Sequence, residues 1–288
     1  MAADLNGRQM LFLDGQFLAV DEARISPLDR GFLYGDGVFT TMRAEGGQVL
    51  YLSEHLERLG RSLRDLRLRL PVVDDWEVVL AELLRRNSLA ERVAAVKMIV
   101  TRGCSVLPGL PRTGASTLVI YAAAYFPPPA ASRREGYRLR IARDGFAPPF
   151  SRYKSLNYLY HLAARQAALD EDADDAVLLD CQGRVSETTI GSLLLKTHGN
   201  WWTPESPFQL PGITLRGMMK LLKEEGLGVE WRTAGEADLV SAETIWVLNS
   251  LMGIMPASQL DQHPLAEPGW EEAERLRERF FARGREKR

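Results

Sequence analysis

Three consecutive prolines, Pro127-Pro128-Pro129, interrupt the chain just short of its midpoint. Proline fixes φ and has no backbone N–H, so such a run joins neither a β-ladder nor a helix interior. With Phe126 before it and residues 130–134 after it, the run reads as a linker over 126–135. It separates a small N-terminal domain, 1–125, from a larger C-terminal one, 136–288. A chain of 288 residues is long enough for each half to bury its own core. On the N-terminal side, Met10–Leu13 and Gln16–Ala19 flank Asp14-Gly15, whose positive-φ tendency suits a tight hairpin. Residues 27–37, rich in Gly and Asp, read as an ordered loop running into a strand at 38–43. Leu56, Leu59, Leu63 and Leu66 mark a helical stripe with Ser53 as its cap. A helix at Trp76–Arg86 and strands at Ala94–Thr101 and 117–123 follow. On the C-terminal side, strands at 137–143, 176–180, 192–196, Val229–Arg232 and 244–248 interleave with helices at 156–169, 215–225 and 270–283. Gly226 closes the second of these helices. The pattern predicts a mixed α/β (α+β) fold in two domains.

Composition bears on partners more than on fold. A formal net charge of −2 gives no reason to expect nucleic acid or an anionic membrane as partner. The basic ending Arg283, Arg285, Lys287 and Arg288 reads as a solvated tail. The two cysteines, Cys104 and Cys181, have no metal-ligand spacing, so no metal is expected, and free thiols are. The first ten residues lack the apolar core of a signal peptide, and no run reaches membrane-spanning length. These features lead to an expectation of a cytoplasmic protein.

Four segments carry more chemistry than packing requires. They are Asp29-Arg30-Gly31-Phe32-Leu33-Tyr34-Gly35-Asp36-Gly37-Val38-Phe39-Thr40-Thr41-Met42-Arg43, Arg152-Tyr153-Lys154-Ser155-Leu156-Asn157-Tyr158, Val185-Ser186-Glu187-Thr188-Thr189, and Leu210-Pro211-Gly212-Ile213-Thr214-Leu215-Arg216. In this order and spacing the chain, from the first hairpin to about Gln259, resembles the fold-type IV pyridoxal-phosphate family. That family includes branched-chain and D-amino-acid aminotransferases and aminodeoxychorismate lyases. The resemblance implies a small N-terminal α/β domain, a larger barrel-like C-terminal α/β domain, pyridoxal 5′-phosphate at their interface, and a homodimer.

The resemblance also assigns roles. Lys154 matches the Schiff-base lysine of a K-x-L-N pattern; such a lysine must lose its proton easily. Glu187 matches the carboxylate that keeps the cofactor's ring nitrogen protonated, the state in which the ring withdraws electrons. Ile213 and Thr214 lie just before the helix expected from Leu215, whose N-terminal N–H groups suit a phosphate. Arg58, in His55-Leu56-Glu57-Arg58-Leu59, and Ser250 match further phosphate ligands. Tyr158 matches a partner for the phenolic oxygen, or is a core tyrosine. Ser192 stands where the family usually has asparagine.

Two segments turn the resemblance towards the lyases. Residues 35–43 read like G-D-G-x-F-T-T-x-R, and residues 249–256 like N-S-L-x-G-I-x-P. The implied reaction converts 4-amino-4-deoxychorismate to 4-aminobenzoate and pyruvate, a step of folate supply. Thr41 is implied as proton donor to the leaving oxygen. Tyr34, Arg43 and Arg102 are candidates for the substrate, the arginines because guanidinium clamps carboxylates; Arg102 reads equally as a structural ion-pair partner. After Arg102-Gly103 the lyase R-G-Y element is replaced by residues 104–110. A D-amino-acid or branched-chain transaminase, and an idle homologue without catalysis, remain as alternatives.

Overall fold

The computed structural model describes residues 9–69, 71–106, 109–111, 114–145 and 147–286. The chain forms two compact units. The first takes the described residues up to Phe126 together with Lys154–Asn157; the second takes Pro127–Tyr153 and Tyr158–Glu286. The excursion of residues 154–157 into the first unit is absent from the sequence reading.

The first unit runs β1 (Met10–Leu13), β2 (Gln16–Ala19), α1 (Arg30–Tyr34), β3 (Gly37–Glu45), β4 (Gln48–Val49), α2 (Leu52–Asp65), α3 (Trp76–Arg86), β5 (Ala94–Thr101) and β6 (Thr117–Ala124). Its six strands form one sheet in the order β2-β1-β6-β5-β3-β4. Alternation along β3 and β5 sends Val38, Met42, Val96, Met98 and Val100 into a core with Leu59 and Leu63 of α2 and Leu80, Leu83 and Leu84 of α3. Two expectations change here. Residues 30–34, expected as loop, form a short helix, because the Asp29 carboxylate accepts the Gly31 N–H and Gly35 closes the turn at φ 64°. Helix α2 starts without Ser53 as cap; Tyr51 takes that place in a left-handed conformation.

The second unit runs α4 (Ala130–Glu135), β7 (Tyr137–Ala142), a 3₁₀ turn (Pro149–Arg152), α5 (Leu159–Asp170), β8 (Asp175–Leu179), β9 (Val185–Thr188), β10 (Ser192–Thr197), β11 (Asn200–Pro204), α6 (Ile213–Glu224), β12 (Val229–Arg232), α7 (Glu236–Val240), β13 (Thr244–Asn249), β14 (Gly253–Leu260), β15 (His263–Pro264) and α8 (Trp270–Glu286). The end of the expected linker is thus helical. Pro129 is tolerated at its N-cap because the extended backbone there (φ −65°, ψ 161°) suits proline. Helix α5 begins three residues later than expected.

The sheet order β12-β11-β10-β13-β14-β7-β8-β9 forces curvature. Strands β9 and β10 lie five strand spacings apart along that path, about 24 Å if flat. Residues 189–191 alone connect them, a reach of at most about 14 Å. The sheet therefore curls towards a barrel.

Candidate active site

In the first unit the Gly35-Asp36-Gly37 triplet explains itself structurally. Residues 154–157 run beside β3: the Phe39 N–H donates to the Lys154 carbonyl at 2.8 Å and the Leu156 N–H to the Gly37 carbonyl at 3.0 Å. A Cβ on Gly37 would lie 2.7 Å from the Val100 carbonyl oxygen and 2.8 Å from Leu156 Cδ1, so only glycine admits this crossing. Between the glycines, Asp36 accepts Arg30 Nε at 2.8 Å and Arg102 Nε and Nη2 at 2.7 and 3.0 Å. Burial alone would raise its pKa, but the hydrogen bonds from Arg102 and Arg30 outweigh that and hold it below the ordinary carboxylate value.

Arg102 is held by more than this carboxylate. Beyond Asp36 it donates to the Arg67 and Leu66 carbonyls at 2.9 and 3.0 Å. Four of its donor hydrogens are thereby engaged, as in a structural ion-pair partner. Arg43 is likewise engaged: its Nε donates to Glu45 at 2.6 Å, on the same face of β3. Tyr34 stands exposed under the Arg30 guanidinium, 4.8 Å from ring centroid to Cζ. Leu107 and Pro108, in the segment that replaces R-G-Y, lie outside the described residues; Gly109 after them accepts from Arg30 at 2.9 Å.

Strand alternation places Phe39, Thr41 and Arg43 on the face of β3 away from the helices. Lys154 Nζ lies 4.8 Å from the Phe39 ring centroid on that side. A second ammonium, Lys97 Nζ, lies 4.5 Å from the same ring. Lys97 is the direct partner of Thr41 across β3 and β5, and burial pulls its pKa down. The sequence reading missed Lys97; the signal was a single charged residue alternating through an otherwise apolar strand. On the opposite face, Thr40 Oγ1 lies 2.7 Å from His55 Nδ1 and accepts from Arg58 Nη2 at 3.2 Å. His55 is buried, and burial first, then Arg58 and Lys154, holds its pKa well below the ordinary histidine value, so the ring stays neutral.

In the second unit Glu187 sits on β9, 5% exposed. Its Oε2 accepts the Leu210 N–H at 3.3 Å, and its Oε1 is 3.8 Å from His161 Nε2. The hydroxyl of Tyr158 donates to the Thr189 carbonyl at 2.7 Å. Burial, then the Glu187 and Asp175 carboxylates, pushes its pKa up. Asp175 is raised by burial despite hydrogen bonds from Thr189, Thr188 and the Ala176 N–H.

Ile213 and Thr214 open the twelve-residue α6. The first N–H groups of a helix have no partner within it. Thr214 Oγ1 is buried without a hydrogen bond. Gly212, the N-cap, meets Ser192 so closely that a Cβ would lie 2.3 Å from its Oγ. Ser250, half-buried, follows β13, where Asn249 Oδ1 accepts the Leu251 and Met252 N–H groups at 3.0 and 2.9 Å. Free donors at a helix N-terminus beside an unmet hydroxyl suit a phosphate. A buried carboxylate with one long hydrogen bond suits a protonated ring nitrogen. Among the described residues there is no cluster of metal-ligating side chains and no helix long and apolar enough to cross a membrane.

Residues 37–260 match the family model described as amino-transferase class IV. The chain belongs to this family. Its members are pyridoxal-phosphate-dependent enzymes of two-domain fold type IV, and pyridoxal 5′-phosphate is the cofactor that the two residue sets fit. A Methanocaldococcus jannaschii protein, named as a candidate branched-chain-amino-acid aminotransferase, is 34% identical over 87% of this chain and 88% of its own. The aminodeoxychorismate lyase of Bacillus subtilis is 28% identical over 88% of this chain and 87% of its own. Among solved structures, one named as a candidate 4-amino-4-deoxychorismate lyase from Legionella pneumophila superposes with a TM-score of 0.81 at 26% identity, over 90% of this chain and 96% of that one.

Proposed function

We propose that the protein is a 4-amino-4-deoxychorismate lyase that releases 4-aminobenzoate and pyruvate, with pyridoxal phosphate carried on Lys154. The observation that carries this reading is the pairing of Thr41 with Lys97 on the Lys154 face of the first unit. When bound, the cofactor supplies an electron sink for the bond broken at the substrate's C4. Lys154, as free amine, takes the C4 proton. Thr41 donates a hydrogen bond to the ether oxygen as the enolpyruvyl group departs. The substrate carries two carboxylates, and Lys97 is the cation on that face for one of them, since Arg43 pairs with Glu45 and Arg102 with Asp36.

Around the cofactor, Glu187 keeps the ring nitrogen protonated, while Ile213, Thr214, Arg58 and Ser250 take the phosphate. Tyr158, whose hydroxyl donates to the Thr189 carbonyl here, would turn that hydrogen to the cofactor's phenolic oxygen. Tyr34 is retained as a substrate contact because its ring is exposed and braced by Arg30. The product would serve folate supply in the cytoplasm. A homodimer is consistent with the exposed Phe32, Leu33, Val106 and Leu110.

The test mixes purified protein with enzymatically generated aminodeoxychorismate, without keto acid, and follows 4-aminobenzoate and pyruvate. Equal release of both, abolished in Lys154→Ala, is the expected result. The archaeal relative favours a second reading, an amino-acid transaminase. Absence of product, together with conversion of the bound cofactor by D-alanine or a branched-chain amino acid, would establish that reading instead.

A further inference from the structure

The roles proposed above leave several buried titratable side chains unused, and one of them faces Glu187. His161, on α5, is 6% exposed. Its ring lies parallel to that of Tyr158, with centroids 4.3 Å apart and planes 6° from coincidence. Tyr160 meets it edge-on at 6.1 Å. Its Nδ1 is buried without a hydrogen-bond partner. An apolar side chain would fill this space without leaving a buried nitrogen unmet, so packing does not account for an imidazole.

The ring differs from such a side chain in the edge it turns to Glu187. Nε2 is 3.8 Å from Oε1, close enough for a strong electrostatic contact though too long for a hydrogen bond. The other groups around the ring are already committed or do not compete. The Tyr158 hydroxyl donates to the Thr189 carbonyl at 2.7 Å, and the Thr189 hydroxyl donates to Asp175. Arg165 acts on Tyr158 and Asp175. The Tyr160 hydroxyl is buried and makes no hydrogen bond to His161, and the two rings meet T-shaped. Glu187 in turn has, among the described residues, only the long contact from Leu210 on its other oxygen.

We propose that His161 is a positioning residue for Glu187. Its ring is held against Tyr158 and Tyr160, and its Nε2 edge sets the direction of the carboxylate that meets the cofactor's ring nitrogen. The inference rests on the proposed role of Glu187. It goes beyond that role by assigning a residue that acts only through it.

The experiment compares wild type, His161→Phe, His161→Asn and Glu187→Gln as holoproteins. Three properties are read: the rate of pyridoxal phosphate loss on dialysis, the pH midpoint of the cofactor's visible absorption, and thermal melting. His161→Phe keeps the stack and removes the N–H. It is expected to lose cofactor about tenfold faster and to move the absorption midpoint upward, in the same direction as Glu187→Gln but less far. The upward sense follows because a ring nitrogen held less firmly protonated repels the proton on the Lys154 linkage less. His161→Asn retains an N–H and should recover most of both effects. Wild-type midpoint and retention in His161→Phe, beside a clear change in Glu187→Gln, would overturn the inference while leaving Glu187 its role. No change in Glu187→Gln would remove that role, and the inference with it. If His161→Phe melts early, His161→Leu, which also lacks the N–H, takes its place: an upward midpoint supports the proposal, and a wild-type midpoint refutes it.

Discussion

The two units treat their buried polar groups in opposite ways. In the first, charged groups at and beside β3 are paired: Asp36 with Arg30 and Arg102, Arg43 with Glu45. In the second, buried polar atoms are left over. Thr214 Oγ1, His161 Nδ1, Gln209 Nε2, Ser186 Oγ and Asp175 Oδ2 have no hydrogen-bond partner, and every such atom among the described residues belongs to this unit. A fold does not leave donors and acceptors unmet without cost, about 1–3 kcal/mol each. The first unit therefore reads as a finished scaffold that holds reactive groups in place. The second leaves buried polar atoms unmet, among them Thr214 Oγ1 at the start of α6, where the proposed phosphate would bind.

The sharpest way to break this contrast is to disturb the scaffold where it is tightest. Gly37→Ala sets a Cβ 2.7 Å from the Val100 carbonyl and must push residues 154–157 off β3. A loss of about 3 kcal/mol in denaturant unfolding is expected, together with loss of the Lys154-bound cofactor band. Full stability in this variant would show that the crossing is loose. Next in size is Asp36→Asn, which strips two partly buried arginines of their counter-charge, for about 2 kcal/mol. Because the folded pKa of Asp36 is depressed, its contribution is complete above the ordinary aspartate pKa of about 3.9 and is lost as pH falls through the folded value. The variant should therefore be less stable at neutral pH and show a shallower acid limb in a melting series.

In the second unit the expected sign reverses. Thr214→Val deletes a hydroxyl that has no partner in the cofactor-free fold. Its cofactor-free melting temperature should be equal to wild type or higher, while the affinity for pyridoxal phosphate falls about tenfold. A destabilised cofactor-free Thr214→Val would mean that the hydroxyl is already satisfied, and the contrast between the units would fail at its main example.

What the sequence disclosed follows the same division. Lys154 and Glu187 stand in short contiguous patterns, so roles for them can be proposed without coordinates. The partners of Arg102 and Arg43 are not legible in this way, because Arg102 reads equally as a carboxylate clamp and as an ion-pair partner, and the Asp36 it pairs with lies 66 residues away. The helix at Arg30–Tyr34 was hidden by glycine and aspartate that serve as its caps and not as its breakers. Thr40 and Thr41 are adjacent in sequence and point to opposite faces, one bonding His55 and the other facing Lys97. The motif names both threonines, and only the strand's alternation separates them.

Lys97 offers the smallest effect and the finest test of the contrast, since burial penalises its charge and, unlike at Asp36, no ion pair among the described residues offsets this. Its folded pKa lies below the ordinary lysine value. The folded chain thus binds that proton less tightly than the unfolded chain, and the penalty is full below the folded pKa and vanishes above about 10.4. Lys97→Met keeps the length of the side chain and removes the charge. Its melting temperature at neutral pH should rise by on the order of 2 °C, with the gain fading as pH approaches 10. If Lys97 receives a substrate carboxylate, KM for aminodeoxychorismate should rise about tenfold or more in the same variant, with cofactor absorption unchanged. A rise in stability without any change in KM would leave Lys97 as an uncompensated charge with no function. A fall in stability would mean that its contact with Phe39 outweighs its desolvation, and the first unit would then be a scaffold with no charge left over for a substrate.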